Sequence, residues 1–389
     1  MAAGEVLFLF NHDAPHQVAH IAGIARAMRA TRPDIRVTCA TGTDAIRARV
    51  ASVLGDAAAG VAWLDIALPR WLETALALPN RIAPARRLAR LDHHAERLLQ
   101  ADVLVSAERT CLRLKTRVKD HAPRFVHIPH GAGDRAVSFH PGKAGFDLIL
   151  VSGDKTAREM VARSGVESDR LRVVGYPKFD TIDVDKRLNL FGNDRPAFLY
   201  NPHFDPFLSS WYEEGPKLLD WFASEEGQNY NLIFAPHIML FRKKLHISLE
   251  YRIARFRPDL KDEWKNASNI LIDTGSDRLV DMSYTLSSDA YIGDVSSQIY
   301  EFLIRPRPVY FIDVFSQNQR SKEGRYPAWE AGEVVHDAAD LTHMLHTGVK
   351  QLDAHEMRQR ALFADTISYD PDRPASQRAA EAIAEMLLA

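Results

Sequence analysis

Short apolar runs alternate along this chain with polar turns and with stretches whose apolar positions recur three and four residues apart. The first run, residues 6–10, leads through a polar loop into a helical pattern with Val18, Ile21, Ile24, Ala25 and Met28 on one face. The same alternation predicts strands at 35–39, 103–106, 125–128, 148–151 and 171–174, with helices at 44–54 and 155–163 between them. Strand and helix in strict alternation imply a parallel sheet with helices on its faces. Residues 180–194 are polar and aperiodic, as a linker would be. The pattern then restarts, with strands at 196–200, 231–234, 270–273, 290–292 and 309–312 and a helix at 214–223. The expectation is an α/β protein of GT-B type, with two Rossmann-like domains facing across a cleft: an acceptor-side domain over 1–185 and a nucleotide-donor domain over 195–345. Residues 346–389 form a C-terminal helical segment whose amphipathic helix, 375–388, can cross back to the first domain. The polar stretch 316–332 reads as a mobile loop.

Composition narrows the field only slightly. The chain has 389 residues, 46% hydrophobic and 26% charged, with a formal net charge of −2, which gives no general attraction to nucleic acid. Cys39 and Cys111, the two cysteines, cannot make a disulfide framework or a zinc site, and the start does not resemble a signal peptide. A reducing cytosol is the expected setting. No apolar run approaches the roughly 20 residues that span a bilayer, so membrane contact would be peripheral. Residues 84–100 intersperse Arg86, Arg87, Arg90 and Arg97 with Leu88, Leu91, Leu98 and Leu99. That mix suits a basic helix lying on anionic lipid, on the inner face of the plasma membrane, and equally an ordinary surface helix.

Ligands in such folds bind beyond the carboxyl ends of the strands, and the chemistry-bearing residues concentrate there. Asn11, His12, Asp13 and His16 follow the first strand on the acceptor side. His130 stands beside Gly131 and Gly133 after the strand at 125–128, suited to accept a proton near neutral pH, with Asp134 or Arg135 to orient it or meet an anion. Tyr200, Asn201, His203 and Asp205 end one strand of the second half and His237 another. The stretch 281–313 carries Gly293, Asp294, Ser296 and Ser297 just before a predicted helix at 298–303. Its N-terminal N–H groups and hydroxyls offer an anion site, and Glu301 lies one turn on, within reach of sugar hydroxyls. No Asp-x-Asp pair at a strand end suggests a metal site, and imidazoles with a helix dipole could neutralise a leaving phosphate without one.

In this order and spacing the residues resemble the CDP-glycerol glycerophosphotransferase family, the teichoic acid polymerase-like branch of the GT-B transferases, over roughly residues 100–315. His130, Gly131 and Arg135 match its His-Gly motif, with Ala132 and Gly133 in place of Thr-Pro and Arg in place of the usual Lys. Tyr200, Pro202 and Phe204 match a Tyr-x-Pro-x-Phe strand end. His237 matches a later histidine. Ser288, Asp289, Asp294, Ser296 and Ser297 match a Ser-Asp and Thr-Asp-Tyr-Ser-Ser block, with Glu301 for its usual Asp, and Pro308 and Asp313 complete it. The resemblance implies that His130 is the general base and that His237 binds or protonates the donor phosphates. It also implies that Arg135, Tyr200, Asn201, His203, Asp294, Ser296 and Ser297 contribute to the donor site and that Glu301 contacts ribose. No cofactor is implied beyond a nucleotide-activated donor, CDP-linked, and the acceptor would be an envelope glycan or lipid. Departures from the motifs keep other readings open: an inverting GT-B glycosyltransferase, a UDP-sugar 2-epimerase, or a binding module without turnover.

Overall fold

The computed structural model describes the chain apart from residues 1–2, 13–16, 82–83, 119–120, 134–135, 249, 295, 315–325 and 348–351. It divides into two compact units: Met1–Asp183 with Ala364–Ala389, and Val184–Phe363.

The first unit is a seven-stranded parallel sheet of β1 (Gly4–Phe10), β2 (Ile35–Thr41), β3 (Ala62–Asp65), β4 (Val103–Ser106), β5 (Arg124–His127), β6 (Leu148–Val151) and β7 (Leu171–Val173), in the order β3-β2-β1-β4-β5-β6-β7. The order reverses between β1 and β4, so the crevice beyond those strand ends is the natural ligand position. Alternate side chains of β1 supply opposite faces: Val6, Phe8 and Phe10 enter one core, Leu7 and Leu9 the other. Burial on both faces explains why these strands read as continuous apolar runs. On the first face the helix Ala19–Thr31 buries Ile21, Ile24, Ala25 and Met28. The helix Ala375–Leu388 adds Ala379, Ala380, Ile383 and Ala384 to the same core. The returning chain passes so close that a Cβ on Gly153 would lie 2.5 Å from the Thr366 carbonyl; no larger residue fits there.

The second unit begins earlier than its first strand. Residues 184–194, read as a linker, are already tied to it: Leu188 N–H donates to Ser287 Oγ at 2.9 Å and Arg187 pairs with Asp289 at 2.7 Å. Its six-stranded parallel sheet contains β8 (Ala197–Asn201), β9 (Asn231–Phe234), β12 (Ile270–Ile272), β13 (Ala290–Gly293), β14 (Val309–Ile312) and β15 (Glu333–Val335), in the order β12-β9-β8-β13-β14-β15. The reversal falls between β8 and β13. Outside this sheet β10 (Leu245–Ser248) and β11 (Ile253–Phe256) pair as an antiparallel hairpin. The C-terminal segment taken as 346–389 is divided, because much of the helix Leu352–Thr366 belongs to the second unit. There buried Gln359 donates to the carbonyls of Arg307 and Ala331 and accepts from Arg307 N–H.

Of the loop predicted at 316–332, residues 316–325 lie outside the described part. The remainder is packed: Trp329 is buried and its indole N–H donates to the Asp294 carbonyl at 3.3 Å.

Candidate functional site

At the switch point of the second unit, one carboxylate ties two loops together. Asp294, following β13, is buried and accepts from the backbone N–H of His203 (3.0 Å), the backbone N–H of Ser210 (2.7 Å) and the Ser210 hydroxyl (3.0 Å). A carboxylate answered by three donors is a clamp for the loop after β8. Tyr200 belongs to the same network. Its ring is buried, its hydroxyl meets Ser210 Oγ at 2.9 Å, and burial pushes its pKa well up. Asn201 is also buried and donates to the Ala235 carbonyl at 2.6 Å, joining the ends of β8 and β9.

The clamp positions two histidines. Nδ1 of His203 accepts the Asp205 backbone N–H at 3.0 Å, and Nδ1 of His237 accepts that of Met239 at 3.2 Å. Each neutral ring therefore carries its proton on Nε2. The ring centroids lie 5.4 Å apart and Phe204 packs on both, at 4.5 Å from His203 and 4.7 Å from His237. Two imidazole N–H donors held by backbone at neighbouring strand ends suit a phosphate oxygen.

The stretch after β13 differs from its sequence reading in three ways. The helix following it, Gln298–Phe302, has five residues and Ser297 makes no side-chain cap, so it supplies little dipole. Ser296 Oγ accepts from Gln298 N–H at 3.3 Å, and Ser297 is exposed; the hydroxyls are accessible, the helix field is weak. Glu301, one turn on, is buried while Ser297 is exposed. Gly293 has no positive φ. Its lack of a side chain answers Tyr291, whose ring would lie 2.5 Å from a Cβ there.

In the first unit His130 follows β5 and faces the loop after β1. Gln17 Nε2 lies 3.4 Å from His130 Nε2, and the Ala107 backbone favours the charged ring. The side chain keeps surface exposure, yet atoms crowd it closely. That desolvation lowers its pKa, with Lys143 and Arg87 pushing the same way and Glu108 opposing. Arg87 and Glu108 pair at 3.0 Å. Beneath lies His127, fully buried and stacked on Phe146 at 4.6 Å; Nδ1–H donates to the Ser106 carbonyl, and burial holds the pKa well below the usual value. Asn11 is buried and donates to the Arg87 carbonyl at 2.9 Å. His12 is buried as well, with its ring edge-on to Phe10. Asp13, His16 and Arg135 lie outside the described residues. Sequence reasoning passed over Gln17, Glu108 and Lys143, since an amide or one member of an ion pair leaves no pattern along the chain.

Three of the arginines at 84–100 are engaged in ion pairs within the first unit. On the helix Ala85–His93, Arg86 pairs with Glu73 at 2.9 Å, Arg90 is buried and pairs with the same carboxylate at 3.2 Å, and Arg87 takes Glu108. The charges of these three are answered within the unit, while Arg97 is exposed. Among the described residues no helix is long and apolar enough to cross a membrane, and no group of three or more His, Cys, Asp or Glu could hold a metal ion.

The sequence profile of CDP-glycerol:poly(glycerophosphate) glycerophosphotransferases matches residues 138–385. The chain belongs to that glycerophosphotransferase family. His237, Ser296 and Ser297 fall inside the matched region and His130 just before it. No curated protein matches this chain. Among solved structures, the wall teichoic acid polymerase TagF superposes with a TM-score of 0.63 at 16% identity, covering 100% of this chain and 90% of that one. A putative UDP-N-acetylglucosamine 2-epimerase from Listeria monocytogenes gives 0.61 at 11% identity, covering 98% and 96%. The S. aureus MnaA–UDP structure gives 0.59 at 12% identity, covering 99% and 98%. At these identities the likeness is one of fold. The glycerophosphotransferase chain and the epimerases share two Rossmann-like domains.

Proposed function

We propose that this protein transfers glycerol phosphate, or a related polyol phosphate, from a CDP-activated donor to an acceptor hydroxyl on an envelope glycan or lipid. The first unit takes the acceptor and the second the donor. The hydroxyl oxygen attacks the phosphorus of the glycerol phosphate, the bond from that phosphorus to the bridging diphosphate oxygen breaks, and CMP leaves. The hydroxyl proton passes to His130 Nε2. His237, with His203 beside it, donates Nε2–H to the departing phosphate, and Ser296 and Ser297 contact the donor through their hydroxyls.

The observation that carries this reading is His130 itself: it stands exposed after β5 beside the loop after β1, and desolvation lowers its pKa, which favours the neutral ring that a general base needs. The test is product analysis with CDP-glycerol and a glycerophosphate-primed acceptor. CMP release coupled to phosphate transfer is expected; intact CDP as the leaving group would replace this reading with glycosyl transfer, and isomerisation of a UDP-sugar without acceptor would replace it with epimerisation. Changing Ser296 and Ser297 together to Ala is expected to weaken donor binding without changing the fold, and unaltered nucleotide affinity would remove them from the site.

A further inference from the structure

The hairpin β10–β11 has its polarity reversed. Its register pairs His246 with Arg255 and Ser248 with Ile253 on one face, and Leu245 with Phe256 and Ile247 with Ala254 on the other. A half-buried hairpin normally turns its apolar face inward. Here the polar face is inside. His246 and Ser248 are buried, the His246 ring meets the carbonyls of Leu240 and Lys243 at 2.9 and 3.1 Å, and Arg255 pairs with Glu213 at 3.0 Å while lying over the Tyr212 ring. Tyr251, near the turn, stacks on Phe207 at 3.9 Å. The hairpin is therefore held firmly by the unit, with Leu245 40%, Ile247 62% and Phe256 71% exposed. Ala254 is exposed between them.

The rim of this apolar face is basic. Arg242 and Lys243 are exposed at the end that carries Leu245 and Phe256, and Arg252 is exposed at the turn. Lys244 is neutralised by Asp259, and Glu250 is an exposed acid beside the turn. On a chain whose net charge is −2, an apolar ladder framed by cations is a local departure that calls for an anionic, apolar counterpart.

We propose that the outward face of this hairpin seats on an anionic lipid surface, with Leu245, Ile247 and Phe256 in the headgroup boundary and Arg242, Lys243 and Arg252 among the phosphates. A second copy of the chain fits less well, because a two-fold contact through this ladder would bring two basic rims together. Lipid supplies apolar depth and negative charge at one surface. The contact stands apart from the transferase reading, since it is measured without substrate.

The test is sedimentation of the full-length protein with vesicles of phosphatidylcholine alone and of phosphatidylcholine with phosphatidylglycerol, with mass in solution followed by light scattering. Binding is expected to the anionic vesicles and not to the neutral ones. Arg242→Gln with Lys243→Gln is expected to lower the partition coefficient about 25-fold, about fivefold for each charge removed. Ile247→Ser with Phe256→Ser, both at exposed positions, is expected to lower it at least about tenfold with an unchanged circular dichroism spectrum. Three results would overturn the proposal: no preference for anionic vesicles, hairpin variants that bind like the parent, or a parent dimer that the Ile247→Ser, Phe256→Ser variant converts to monomer. Loss of binding in Trp71→Ser with retention in the hairpin variants would move the contact to the first unit and equally reject it.

Discussion

The imidazoles of His203 and His237 stand 5.4 Å apart, and each has Nδ1 occupied by the backbone N–H two residues further on. This arrangement fixes both rings before any ligand arrives, so neither has to reorganise as negative charge grows on a leaving phosphate. His237→Ala is expected to lower kcat about 100- to 1,000-fold, the usual cost of one preorganised donor. His203→Ala is expected to cost less than His237→Ala, because the His203 ring is buried and His237 is the more accessible of the pair. Steady-state kinetics with CDP-glycerol check both, and an unchanged kcat for His237→Ala would remove it from the reaction.

His130→Ala is expected to reduce turnover about 100- to 10,000-fold with little change in donor affinity, as befits loss of a base. The pKa of His130 is lowered, so its neutral form persists to more acid pH than that of an ordinary histidine. The acid limb of the kcat/KM profile should accordingly lie below 6.5, the model-peptide value for this side chain. Gln17 donates to Nε2 and favours the neutral ring; Gln17→Ala should move that limb upward. A limb that stays in place would separate Gln17 from the base.

Asp294→Asn is expected to act on stability. The carboxylate accepts from two backbone N–H groups and a hydroxyl in a buried setting, and an amide offers one acceptor oxygen and two unwanted donors. A loss of about 2–4 kcal/mol is expected by urea denaturation. If the variant instead keeps its stability and loses only nucleotide affinity, Asp294 is a donor ligand after all.

Lys143 gives a pH-dependent prediction of opposite sign. It is buried and donates to the Ser138 carbonyl at 2.7 Å, and burial with help from Arg109 pushes its pKa down to about 8 from 10.5. Below pH 8 folded and unfolded chains both hold the proton, and the folded one bears the whole cost of the buried charge, on the order of 3 kcal/mol. Between about 8 and 10.5 the unfolded chain binds more protons, so stability rises with pH, and beyond that range the cost is gone. Lys143→Met is therefore expected to be more stable than the parent at pH 7 by about 1–2 kcal/mol after the lost hydrogen bond is counted, with the gap closing above pH 10. Melting temperatures across that range check the sign.

The fold was largely legible because strands such as Leu148–Val151 and Val309–Ile312 are buried on both faces and read as unbroken apolar runs. Three features escaped. β3 and β15 have four and three residues and look like turns. The hairpin was hidden because its inner face is His246, Ser248 and Arg255, which conceals any apolar core signal. In the site, histidines at strand ends stand out by residue type, while burial does not. Asp294, Tyr200 and Glu301 looked like ligand contacts in the chain and are interior groups in the fold. The ion pairing of the arginines at 86, 87 and 90 was hidden for a related reason: their acidic partners, Glu73 and Glu108, are far enough along the chain that no helical spacing reveals them.

The helix Ala375–Leu388 completes a core begun by the helix Ala19–Thr31. During synthesis the opening sheet must therefore wait, one apolar face uncovered, until that distant helix has left the ribosome, and by then the intervening unit has had time to mature. Nascent chains stalled near residue 370 should accordingly be protease-sensitive in their leading half and resistant in the half made later, the reverse of the usual order of co-translational folding.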